Sequence, residues 1–96
     1  MPVAIWNSVV IARAEAEEVQ IVDNNVYFPI AAVARQFLQP STHTSVCASK
    51  GVASYYDVVV DGQVNFNAAW TYRDPNEAAV QVAGMLAFWK GVTVQP

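Results

Sequence analysis

The dipeptide Asp61-Gly62 stands between two runs of β-forming residues, 52–60 and 64–66, and constrains the fold more than any other feature of the chain. Asp-Gly is a strong two-residue hairpin signal, because both central positions of the favoured turn need a positive φ and the twist of that turn matches the flanking strands. A long strand over 52–60 therefore returns into 64–66, and 69–72 continues the sheet past a break near Asn67. Further β runs flank this hairpin. Val9 and Ile11 are followed by 19–22 across a charged, solvated turn at 13–18, and 26–28 follows the turn signal Asn24-Asn25. The run 42–47 is closed by a turn at Lys50-Gly51, and 92–94 forms a last strand. Two helices are predicted. Pro29 opens the first, which aligns Ile30, Val33, Phe37, Ala34 and Leu38 until Pro40 stops it near Gln39. Asp74 caps the second, with Pro75 in its first turn, Glu77 three residues on, and Ala79, Val82, Ala83 and Leu86 on its inner face. The expected class is mostly β (α+β), with two antiparallel sheets and two short helices.

A chain of 96 residues supports one domain, 1–96, and shows no internal repeat, linker or low-complexity segment. With 54% hydrophobic and only 14% charged residues it can offset its ordering entropy and fold. A core of this size leaves little surplus for a deep cavity, so a shallow cleft is expected. The net charge is −3, and the five cations, Arg13, Arg35, Lys50, Arg73 and Lys90, are scattered, which excludes nucleic acid as a partner. No apolar run approaches the roughly 18 residues that cross a bilayer, so no membrane is expected either. The first basic residue is Arg13, and Asn7 and Ser8 interrupt the N-terminal apolar run, which argues against a secretory signal and for a cytoplasmic protein. The single cysteine, Cys47, permits no internal disulfide and agrees with a reducing compartment. The sequence sets no oligomeric state.

Several blocks recur in a known order: Trp6-Asn7, Tyr27-Phe28-Pro29, Pro40-Ser41, Cys47-Ala48-Ser49-Lys50-Gly51, Ala53-Ser54-Tyr55-Tyr56, Asp61-Gly62, Ala69-Trp70-Thr71-Tyr72 and Pro75. Across nearly the whole chain this pattern resembles the family catalogued as domain of unknown function 427, also labelled a nucleotidyltransferase domain. The resemblance implies a small domain similar to the β-tent architecture, better known from zinc-carrying proteins such as methionine sulfoxide reductase B and the thalidomide-binding domain of cereblon. It implies no activity. The chain departs from the family's usual pattern at Ile30-Ala31-Ala32, where charged residues commonly stand, and at Ala48, where the residue is often larger.

A tetrahedral zinc site needs about four ligands. One cysteine and one histidine fall short, and Cys47, His43 and an aspartate form the only formal combination, so the expectation is a zinc-free version with no metal and no cofactor. Cys47 and His43 would share a strand face about 13 Å apart, beyond hydrogen-bond reach unless the strand bends. Lys50 is nearer in sequence, and a turn over 49–51 brings its ammonium toward the thiol, which makes Cys47 and Lys50 the catalytic candidates of an enzyme reading. The flanking Val46 and Ala48 favour an ordinary strand cysteine that alkylates slowly. Nucleotidyl transfer needs paired carboxylates holding a metal and a phosphate cradle. The chain has no Asp-x-Asp and no phosphate-loop glycine spacing, and only folding could gather Asp23, Asp57 or Asp74.

The aromatic residues carry more information. Alternation along 52–60 puts Tyr56 with Val52, Ser54, Val58 and Val60 on one face, and Tyr55 with Ala53, Asp57 and Val59 on the other. Trp70 and Tyr72, two apart, share a face of the neighbouring strand and extend that surface. These rings either pack the core or line a cleft with Lys50 and a carboxylate at its mouth. The preferred expectation is a binding module for a small polar or aromatic ligand or a partner side chain, using Lys50, Tyr55, Asp57, Trp70 and Tyr72. A small enzyme and a purely structural or interaction protein are the other two readings.

Overall fold

A computed structural model describes residues 1–96. Nine strands form three antiparallel arrangements where two sheets were expected. The largest has the order β5-β6-β7-β8, built from Leu38–Cys47, Gly51–Val60, Gln63–Thr71 and Leu86–Phe88. A second sheet has the order β2-β1-β9, from Val9–Arg13, Val3–Trp6 and Thr93–Gln95, and β3 and β4, Gln20–Val22 and Asn25–Tyr27, form a separate hairpin. The radius of gyration is 12.5 Å, that of one packed body of this length.

The central hairpin follows its turn chemistry. Val60 pairs with Gln63, and Asp61 and Gly62 take φ values of 51° and 75°, the doubly positive turn that Asp-Gly favours. Two other hairpins use the same device without glycine: Asn7 and Ser8 join β1 to β2, and Asp23 and Asn24 join β3 to β4, all four at positive φ. The second of these turns falls one residue earlier than the Asn24-Asn25 signal suggested. Asn67 also has positive φ, at 57°, and marks the break in β7, where the pairing with β6 shifts register between Tyr56 and Val58.

Neither predicted α-helix forms. Residues 29–39 make two single 3-10 turns, Ile30–Ala32 and Arg35–Phe37. Between them Val33 bridges Ala12 and the Ala34 N–H donates to the Ile11 carbonyl at 2.9 Å, so pairing with β2 holds the backbone extended where the apolar stripe suggested a helix. Pro40 lies within β5, an edge strand, the place in a sheet where a proline is tolerated. The second expected helix is a kinked 3-10 segment, Glu77–Val82, whose N-cap is Asn76 and not Asp74. Asn76 is occupied elsewhere: its N–H donates to the Lys50 carbonyl at 2.8 Å and its amide to the Ala48 carbonyl at 3.4 Å. Leu86, expected on that helix, pairs as the first residue of β8 with Thr71.

Two apolar clusters sit on opposite faces of the large sheet. Ala4, Ile11, Phe28, Val58, Leu86 and Phe88 belong to the first, between that sheet and β2-β1-β9. Tyr27, Ala53, Tyr72, Ala79, Val82 and Ala87 form the second. Alternation is what sends neighbours apart, Phe28 to the first cluster and Tyr27 to the second, Leu86 to the first and Ala87 to the second. Each fully buried large side chain, such as Phe28 or Leu86, contributes about 1.5–3 kcal/mol. No helix is long and apolar enough to cross a membrane.

Candidate functional site

The second face of the large sheet is incompletely covered, and a cleft of about 300 Å³ opens there. Its walls are five aromatic rings, Tyr27, Tyr55, Trp70, Tyr72 and Trp89, and its polar members are Asp23, Asn25 and Lys50. Strand register places the rings. Tyr55 on β6 lies directly opposite Trp70 on β7, Trp70 is opposite Ala87 on β8, and Trp89 follows β8 immediately. Tyr72 follows the end of β7, and Tyr27 ends β4. The β4 hairpin is anchored to β8 by paired backbone bonds between Phe28 and Leu86, at 2.7 and 2.9 Å, which sets Tyr27 over the cleft.

The rings contact one another in series. Tyr27 and Trp70 meet edge to face with centroids 6.2 Å apart, Trp70 and Trp89 at 5.8 Å, and Tyr55 and Trp89 at a tilted 6.4 Å. Their polar atoms are mostly committed within the protein. The Trp70 Nε1–H donates to the Tyr27 hydroxyl at 3.3 Å, the Trp89 Nε1–H donates to the Asn67 carbonyl at 2.6 Å, and the Tyr55 and Ser45 hydroxyls share a bond at 2.9 Å. The tryptophans therefore offer ring surface to an occupant, and neither offers a free N–H.

Two turns close the rim. Lys50, in the β5–β6 turn, forms an ion pair with Asp23, in the β3–β4 turn. The Lys50 side chain is 14% exposed and that of Asp23 67%, so the ammonium is the inner partner and the carboxylate the outer. The bond accepted by Asp23 holds the Lys50 ammonium above the ordinary lysine range. Burial raises the Tyr72 phenol, with the nearby Tyr27 adding to the shift. Tyr72 is 8% exposed, and its hydroxyl has no hydrogen-bond partner in the protein.

Four of the residues singled out in the sequence, Lys50, Tyr55, Trp70 and Tyr72, thus converge on one concavity. Asp57 does not: its Oδ1 accepts the Asn67 N–H at 2.8 Å and pins the β7 break, away from the cleft. Cys47 is half-buried at the end of β5, packs against the second cluster and does not line the cleft. Its Sγ lies 3.4 Å from the Ser49 hydroxyl, the principal cause of a thiol pKa below the ordinary value, and His43 meets Tyr55 at a tilt, with ring centroids 4.7 Å apart. Asp23, Asp57 and Asp74 do not gather, and no three His, Cys, Asp or Glu side chains form a group able to hold a metal ion. Tyr27, Trp89 and Asn25 were not anticipated. Alternation against Phe28 was the available signal for Tyr27, whereas the β8 strand that carries the chain into Trp89 was read as helix.

Fold and site together define a small three-sheet β domain with an aromatic-walled cleft rimmed by a lysine–aspartate pair. The chain belongs to the family described as Domain of unknown function (DUF427), whose model, named NTP_transf_9, matches residues 3–95. No match to a curated protein is found.

Proposed function

We propose that this domain is a binding module that holds a small polar or aromatic ligand, or a partner's side chain, in the cleft between Tyr27, Trp70 and Trp89. The observation that supports the reading is the convergence of five rings and an ion pair, drawn from separate strands and turns, on one concavity of about 300 Å³. That volume lies at the lower end for small-molecule pockets, and an apolar wall with a few polar groups is their usual make-up. Trp89 is 45% exposed, so it has ring surface left for an occupant. Each well-placed ring pair would add about 0.5–1.5 kcal/mol beyond area burial.

The enzyme reading has less support. A lysine held protonated by Asp23 is a poor nucleophile or base near neutral pH, and Cys47 has a hydroxyl beside it where a base would be needed. The nucleotidyltransferase label rests on the family model's name, and the carboxylates stand apart. A lone, unpaired cysteine fits a cytoplasmic module. The test is a thermal-shift screen of small metabolites against wild type, Trp70→Ala and Trp89→Ala. A ligand of the cleft raises the melting temperature of wild type and loses that effect in both variants. A compound that stabilises all three equally binds elsewhere and contradicts the proposal.

A further inference from the structure

The chemistry inside the cleft is one-sided, which narrows the ligand class and rests on the binding reading above. The Tyr27 oxygen already accepts the Trp70 N–H, so what Tyr27 has left to give is its own proton. The Tyr72 hydroxyl is unpartnered and within electrostatic range of Lys50 and Tyr27. An ammonium has three protons and Asp23 takes one from Lys50, leaving two. The ammonium and phenol groups of the interior thus present donors, while the acceptors of the lining, the Asp23 carboxylate and the oxygen of Asn25, whose Nδ2 donates to the Asp23 carbonyl at 3.4 Å, stand at the outer rim. Charge points the same way. Lys90 places its Nζ 5.1 Å from the Trp89 ring centroid, so one face of that ring already carries a cation. Lys50 lines the cleft and Lys90 stands against the Trp89 ring, two cations near the single Asp23 carboxylate in a chain whose net charge is −3.

We infer that the cleft takes a small planar ring bearing a carboxylate, with the ring against Trp70 and Trp89 and the carboxylate accepting from Lys50 and the Tyr72 hydroxyl. No bond is made or broken. The ligand carboxylate joins Asp23 on the ammonium, and a charge-assisted bond of this kind is about twice as strong as a neutral one.

The test uses three matched single-ring probes, benzoate, benzyl alcohol and benzylamine, with affinities taken from the NMR shifts of the Trp70 and Trp89 indole N–H signals. Benzoate should bind about tenfold more tightly than benzylamine, with benzyl alcohol between them, and added salt should erode the benzoate advantage. Lys50→Met should abolish that advantage, Lys50→Arg should keep most of it, and Asp23→Asn should enlarge it by removing the competing carboxylate. Tyr72→Phe should weaken benzoate more than benzyl alcohol. If benzyl alcohol shifts both indoles but benzoate has no advantage over benzylamine, or keeps one in Lys50→Met, the anion assignment is overturned while the cleft stands. If none of the three shifts them at millimolar concentration, both readings fail.

Discussion

Trp70 and Tyr27, 43 positions apart in sequence, are joined by an indole-to-phenol hydrogen bond of 3.3 Å across an edge-to-face ring contact. This bond ties the β4 hairpin to the large sheet and forms one wall of the cleft. Tyr27→Phe keeps the ring and removes the acceptor, leaving the Trp70 N–H without its partner. Denaturant unfolding should show a loss of about 1–2 kcal/mol, and a variant as stable as wild type would show that packing alone holds the hairpin.

Asn76, and not Asp74, fastens the 3-10 segment to the β5–β6 turn. Its amide reaches the Ala48 carbonyl, and a Cβ added at Gly51 would come within 3.4 Å of its side chain, so the turn and Asn76 are closely fitted. Asn76→Ala should cost about 1 kcal/mol, whereas Asp74→Ala should change stability by less than about 0.5 kcal/mol. The reverse order, measured by thermal or urea unfolding, would restore Asp74 as the cap.

The Cys47 thiol should titrate below its ordinary value of 9.0, because the Ser49 hydroxyl and then the Lys50 and Ser49 backbone favour the thiolate, with the Lys50 charge the smallest contributor. The pH profile of iodoacetamide labelling reads this directly. Ser49→Ala should move the midpoint upward by more than Lys50→Met does. A midpoint at or above 9.0 in wild type would contradict the geometry of the turn.

Two groups at the cleft make stability fall on the alkaline side. Lys50 has a folded pKa above its ordinary 10.5, so its contribution is complete below that pH and is lost as pH rises through the folded value. Tyr72 is an acid whose folded pKa lies above 10.0, so the unfolded chain ionises first and stability falls as pH rises past that point. Melting temperature followed upward from pH 9 should drop less steeply in Lys50→Met and in Tyr72→Phe than in wild type, and least in the double variant. Parallel curves would show that neither group is linked to folding.

What was legible in the sequence was local. Asp61-Gly62 announced its hairpin because a two-residue turn needs nothing beyond itself, and the period of two along β6 separated Tyr55 from Tyr56 without knowledge of what covered either face. Tyr55, and Trp70 with Tyr72, were readable as one surface for the same reason, and Lys50 from its turn, although spacing left open whether the rings packed a core or walled a cleft. The two helices failed where distant strands claimed the backbone, Ile11 and Ala12 beside Ala34 and Val33, and Thr71 beside Leu86. Helical spacing of apolar residues cannot register that competition. Asp57 was misplaced because the β7 break turns a regular alternation into a local contact with the Asn67 amide. Tyr27 and Asp23 reach the cleft through the docking of the β3–β4 hairpin; alternation could set Tyr27 on the face opposite Phe28, but no spacing encodes where that hairpin docks.

The most direct test of the cleft as the binding site uses the three tryptophans as reporters of position. Trp70 and Trp89 wall the cleft, whereas Trp6 ends β1 in the other sheet. On addition of a compound that stabilises the protein, the ¹⁵N–¹H indole signals of Trp70 and Trp89 should shift together and saturate with one affinity, while that of Trp6 stays in place. A stabilising compound that shifts Trp6 and leaves the other two unmoved would contradict the account.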